Sequence, residues 1–280
     1  MRRITCGIAS ATLCITTVCG AQGTTWSAGA AVGSLRFSSG ATESALGATV
    51  AARMMNWFDV SANPTYAWTQ TVAVQATPST LIPGRKVTGF TDLPVNVGIS
   101  HSLPGAWSPS FSVSLGVTLP TGDTAGLGSG HTAVGGSASL GLSPTDDQWL
   151  SVGAGRSLSN GYSASLASST STSVSLSGGT RAGLLQLSAG ISGDVGTVPA
   201  GYEAARSLAA GVAIPTGAGM SLSLDGSVGL SKGSPDWAIT AAFGTTPAGI
   251  VAATAAPFQR LNKAFGSGSS TSKIKGKTKP

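Results

Sequence analysis

The stretch Phe111-Ser112-Val113-Ser114-Leu115-Gly116-Val117-Thr118-Leu119 alternates a large apolar residue with a small or polar one at every step. A period of two sends successive side chains to opposite faces of an extended chain, so this segment reads as a strand with one greasy face and one small polar face. The pattern returns in Leu185, Leu187, Ala189 and Ile191 against Gln186, Ser188, Gly190 and Ser192. It returns again in Leu222, Leu224, Val228 and Leu230 against Ser221, Ser223, Asp225 and Ser227. Helical spacing fits none of the three windows.

Extending the same template predicts strands near 26–37, 44–55, 57–70, 88–102, 107–119 and 131–143. Six more fall near 148–157, 171–180, 184–194, 204–214, 219–231 and 236–244. Short and long links between them alternate. Short ones fall at Asn56, Pro104-Gly105, Ser143 to Asp147, Thr180 to Gly183 and Pro215 to Ala218; longer ones cover 38–43, 71–87, 120–130, 158–170 and 195–203. Transmembrane barrels join strands in this way, by short periplasmic turns and longer external loops. The expected fold class is all-β: a single antiparallel transmembrane up-and-down β-barrel of about 12 strands, with both ends in the periplasm.

Composition points the same way. Only 9% of the 280 residues are charged and 40 are glycine, whereas soluble domains carry about 25% charged residues. A soluble β-sandwich would also alternate, but its outer face would bear charge, and these strands bear almost none on either face. Trp26, Trp57, Tyr66, Trp68, Trp107, Trp149 and Trp237 lie near expected strand ends, where aromatic rings meet lipid headgroups.

The chain opens with Arg2 and Arg3, an apolar stretch from Ile4 to Val18 and small residues at Cys19-Gly20-Ala21, the three parts of an export signal. The expected organisation is a signal peptide over 1–21, an outer-membrane β-barrel over 22–246 and a basic extension, partly helical or disordered, over 247–280. Cys6, Cys14 and Cys19 all lie in the signal, so the expected mature chain has no cysteine for a disulfide or a metal. Arg260, Lys263, Lys273, Lys275, Lys277 and Lys279 account for the basic tail, which lacks acids, while between residues 22 and 250 eight basic residues face ten acids. The high pI therefore comes from the chain ends, and the expected barrel carries no nucleic-acid signature.

Gly89-Phe90-Thr91-Asp92-Leu93, Leu119-Pro120-Thr121-Gly122-Asp123 and Leu127-Gly128-Ser129-Gly130 resemble segments of an outer-membrane β-barrel family. It is that of the phenol-degradation meta-pathway proteins, also described as transporters. Gly229-Leu230-Ser231 and Gly233-Ser234-Pro235-Asp236 look like that family's link into its final strand. The resemblance spans roughly 45–244. It implies a bacterial outer-membrane location and passage of small, aromatic or hydrophobic compounds. Barrels of this kind end on a strand with a terminal aromatic residue that assembly machinery reads; Phe243, Phe258 and Phe265 are the alternatives here.

With two histidines and no mature cysteine, no metal site and no cofactor are expected. Ser129 and His131 lie close together on one loop, but no acid or Asn stands at a recognisable spacing, so an enzyme is not expected and lipid modification is the weakest reading. His101 reads as a membrane-interface histidine. Asp92 and Asp123 read as solvated turn residues. By strand parity, Arg36, Arg53, Asp59 and Asp225 point inward with Asn63, Asn96 and Gln186. These are the expected lumen-lining or constriction residues, either bracing the wall or selecting permeants. The expected function is a passive channel for small solutes, with a structural or surface-interaction role as the alternative. The expected partners are outer-membrane lipid, the barrel-assembly machinery and an unidentified permeant, and no nucleic acid.

Overall fold

The computed structural model describes residues 24–55, 57–77, 80–122, 127–128, 130, 132–159, 169–196, 204–217 and 220–245. The expected signal peptide and tail, together with Ser129, His131, Asp123, Phe258 and Phe265, lie outside the described residues. The strands are β1 Thr25–Arg36, β2 Thr42–Met54, β3 Phe58–Ala62, β4 Thr65–Gln70, β5 Val74–Thr77, β6 Thr80–Ile82, β7 Lys86–Phe90 and β8 Leu93–Ser102. They continue as β9 Ser110–Leu119, β10 Ala133–Thr145, β11 Gln148–Ser159, β12 Ser169–Ala182, β13 Leu185–Val195, β14 Arg206–Gly217, β15 Met220–Gly229 and β16 Trp237–Thr245.

Two wall strands are each split in two, because β2 pairs with both β3 and β4, while β4 pairs with β7 and β3 with β8. Counting each split strand once gives twelve wall strands, antiparallel throughout, and β5 with β6 forms a separate hairpin. The wall is closed, since β1 pairs with β2 on one side and with β16 on the other. The strand bearing Phe243 is thus the one that seals the barrel. Both described ends of the chain sit at the short-turn rim, with Gly29 opposite Gly244.

The first split has a plain cause. Pro64 has no N–H to give to a ladder, and the strand expected over 57–70 breaks at Asn63-Pro64. Pairing resumes around the break: the Ala48 N–H donates to the Pro64 carbonyl at 2.9 Å, and the Asn63 N–H to the Pro94 carbonyl at 3.1 Å. The second split is at Thr91-Asp92, where the Thr91 N–H donates to the Thr65 carbonyl at 2.9 Å. The links after β1, β4, β9, β11, β13 and β15 share one rim, which holds the longest of them, and those after β2, β8, β10, β12 and β14 share the opposite, short-turn rim; the β8–β9 link there runs over 103–109, longer than the expected Pro104-Gly105 turn. At that rim Gly183 takes a positive φ of 64°, a conformation that only glycine adopts freely in so tight a turn.

The faces divide as the alternation requires. Phe111, Val113, Leu115, Val117 and Leu119 are exposed on the outside, and Leu185, Leu187, Ile191, Leu222, Leu224 and Val228 likewise. Their intervening residues turn to the interior, where the wall has few buried apolar side chains. A soluble protein would place these apolar residues in a core. Here they form a continuous outer belt, which is stable only against hydrocarbon.

Replacing Leu115 by Arg at mid-strand is expected to destabilise the lipid-inserted barrel by about 2–4 kcal/mol in urea unfolding from vesicles. Ser114→Arg, one residue away on the inner face, is expected to cost far less. Equal costs at the two positions would contradict this assignment of faces.

Candidate functional site: the barrel lumen

Small residues build most of the inner wall. On β9 and β10, Ser112 faces Ser139 and Ser114 faces Ser137, and each hydroxyl pair is joined at 2.7 Å. On β13 and β14, Ser192 and Ser207 meet in the same way at 3.1 Å. Serine hydroxyls thus bond to one another along the wall.

The larger polar residues also lie along the wall. A Cβ added at Gly98 would lie 2.8 Å from Asp59 Oδ2, and one at Gly116 would lie 2.7 Å from Asn96 Oδ1. A Cβ at Gly211 would collide with Asp225 Oδ1. In all three cases the glycine is the direct cross-strand partner of the polar residue. An absent side chain on one strand thus makes the niche for a polar side chain on the next.

The register sets Arg53 opposite Asp59 on the inner face, an opposite-charge arrangement favoured across antiparallel strands. The Thr49 hydroxyl donates to Asn63 Oδ1 at 2.7 Å. Gln186 stands opposite Arg181 near the short-turn rim. Arg53, Asp59, Asn63, Asn96, Gln186 and Asp225 therefore lie on inward parity, though spread over the wall rather than gathered at one ring.

Arg36 does not join them. It is exposed and opposite Trp237 on the outer face, because Leu35 takes the inward position and is only 3% exposed. The expected parity of this strand end is thereby reversed: Trp26 and Val32, which share the parity of Arg36, are exposed on the outside. Asp92 is a second correction. It is buried, and its Oδ1 accepts the Gly122 N–H at 3.0 Å, so it ties the start of the β9–β10 link to the wall instead of standing in solvent. Trp149 is a third. It faces Gly179 on the inner side, so it is no part of the outer aromatic belt. His101 is exposed, with its ring 5.8 Å from that of Phe111 on the outside.

Three inward charges escaped the sequence reading. Glu43 fell one residue before the expected start of its strand, and Arg181 fell in an expected turn. Asp194, at the end of β13, was on the polar parity but was not singled out; its Oδ2 accepts the Ala205 N–H at 3.1 Å. With them, the inward-facing charges of the described strands are Glu43, Asp59, Asp194 and Asp225 against Arg53 and Arg181.

Near the long-loop mouth, Leu35, Ala45, Ala67 and Ala238 form a buried apolar cluster, and Phe37 and Leu127 pack on it. Leu127 belongs to the β9–β10 link, so that link reaches the inner wall. Glu43 lies beside this cluster, opposite Leu35 on one strand and Thr69 on the other. Glu43 Oε2, Thr69 Oγ1 and Asp225 Oδ2 are buried and have no hydrogen-bond partner among the described residues. No group of three or more metal-ligating side chains occurs among the described residues.

Comparison with solved structures places this architecture. An outer-membrane channel from Pseudomonas putida F1 superposes with a TM-score of 0.60 at 10% identity, covering 80% of this chain and 95% of that one. The fold is that of an outer-membrane barrel. The KdgM porin superposes with a TM-score of 0.50 at 8% identity, over 79% of this chain and 98% of the porin. No protein-family model and no curated protein matches the sequence.

The glycine niches give a direct test. Gly211→Ala is expected to destabilise the barrel in urea unfolding, and the cost should largely vanish in an Asp225→Ala background, a coupling on the order of 0.5–3 kcal/mol. Additive effects of the two substitutions would show that the carboxylate does not occupy the niche.

Proposed function

We propose that this protein is a passive outer-membrane channel for small solutes. The observation that carries the reading is the inner wall itself: Ser, Gly, Ala and Thr make up most of it, and Asp59, Asn96 and Asp225 lie over glycines of the neighbouring strand. A barrel of about 12 strands whose interior was filled by bulky side chains would be a plug. Buried polar atoms without a protein partner support a wet interior, because such atoms are costly unless something hydrogen-bonds them. The fold shared with a bacterial outer-membrane channel and a porin agrees with this reading.

Two features point to the class of solute. The excess of acids among the inward charges favours cations and neutral molecules over anions. Phe37 and Leu127, half-buried over the apolar cluster at the mouth, offer an apolar contact that a small aromatic or hydrophobic solute would use. This agrees with the resemblance to barrels associated with phenol degradation.

Planar-bilayer conductance tests the proposal. Reconstituted protein should give discrete steps with a cation preference, and Asp59→Asn combined with Asp225→Asn should reduce that preference without abolishing the steps. Folded protein that gives neither conductance nor liposome swelling would favour the structural alternative.

A further inference from the structure

The charges that face outward are distributed quite differently from those inside. Arg36 is the last residue of β1, Lys86 the first of β7 and Arg206 the first of β14, and Arg156 lies in the long-loop third of β11. All four are exposed. Register places each on the outer face: Arg36 opposite Trp237, Lys86 opposite Gln70, Arg206 opposite Gly193 and Arg156 opposite Thr172. Around the closed wall these strands follow one another at every third position, so the four cations surround the barrel instead of forming one patch. Every one is at or toward the long-loop rim.

No acid faces outward on the described strands; Glu43, Asp59, Asp194 and Asp225 all have inward parity. Asp236 lies just before Trp237 in the link from β15, and its N–H donates to the Arg36 carbonyl at 2.7 Å. No ion pair joins any of the four cations to an acid among the described residues.

A cation beside hydrocarbon needs a reason, since an Arg or Lys on the lipid face costs least near the interface and most at the midplane. Trp68 and Trp237 are exposed toward the same rim and mark the headgroup level. Arg156 lies deeper, but a long side chain can carry its guanidinium toward the headgroups while its stem stays in the apolar layer. We propose that the four form a headgroup-binding girdle for lipid whose phosphate carries uncompensated negative charge, in the leaflet at the long-loop rim. Anionic phosphate is the chemistry that matches: a guanidinium binds it through two parallel hydrogen bonds, and no acid on the described strands faces outward to compete. The girdle is independent of whether the lumen conducts.

Native mass spectrometry of the detergent-purified barrel reads this directly, with bisphosphorylated lipid A and phosphatidylcholine as probes. The wild type should retain lipid A in preference to phosphatidylcholine, with retention falling as salt rises. Each of Arg36→Gln, Lys86→Gln, Arg156→Gln and Arg206→Gln should weaken lipid A retention by about fivefold and leave phosphatidylcholine unchanged. A shift in gel mobility on boiling identifies the variants that remain folded. Equal retention of the two lipids by the wild type, or undiminished lipid A retention by folded variants, would overturn the proposal.

Discussion

Everything in this structure follows from one constraint. Within hydrocarbon no water is available to hydrogen-bond the backbone, so each strand must find both of its neighbours. A sheet meets that demand only by closing, and here closure is the pairing of β1 with β16 over Gly29–Arg36 and Trp237–Gly244. The seam is close: a Cβ added at Gly244 would lie 2.5 Å from Gly29 Cα and 2.7 Å from the Ala28 carbonyl oxygen. Two glycines facing each other let the first and last strands approach. Nearby, the Thr245 hydroxyl donates to the Ala28 carbonyl at 3.2 Å and its oxygen accepts the Ala28 N–H at 2.9 Å.

Closure then separates two problems that a soluble protein must solve together. The outer face has only to match lipid, and it does so with Leu, Val, Ile and aromatic residues and with basic residues toward one rim. The inner face is relieved of making a hydrophobic core, so it can be small and polar. Its hydroxyls bond along the wall, and Asp59, Asn96 and Asp225 lie against glycines. The apolar cluster at the long-loop mouth is the exception. There Leu35 turns inward and a residue of the β9–β10 link covers it.

Much of this was legible in the sequence because period two survives in single strands. Phe111 to Leu119 reveals both faces without any knowledge of its neighbours, and the alternation of long and short links shows the meander. The count of twelve held because the split strands at Asn63-Pro64 and Thr91-Asp92 still read as two segments of the right length. Parity failed where an apolar residue faces inward: Leu35 takes the inner position next to Arg36, which therefore faces out. Trp149 lies near a strand end like the belt aromatics, yet its indole occupies the space over Gly179 on the inner side. Glu43 was missed because a strand end displaced by one residue hides a charge. The link that brings Leu127 to the inner wall and buries Asp92 depends on tertiary contacts, which no local period reports.

Cross-linking the seam in the membrane-inserted protein tests the central claim of a closed twelve-stranded wall. Ala31 and Ala242 are direct partners across β1 and β16, and cross-strand Cα separations of about 4.5–5.5 Å suit a disulfide. Ala31→Cys with Ala242→Cys should cross-link on mild oxidation, whereas Ala31→Cys with Ser223→Cys, one strand further round, should not. A folded, heat-modifiable barrel in which the seam pair stays reduced, or in which the distant pair links instead, would contradict the closure described here.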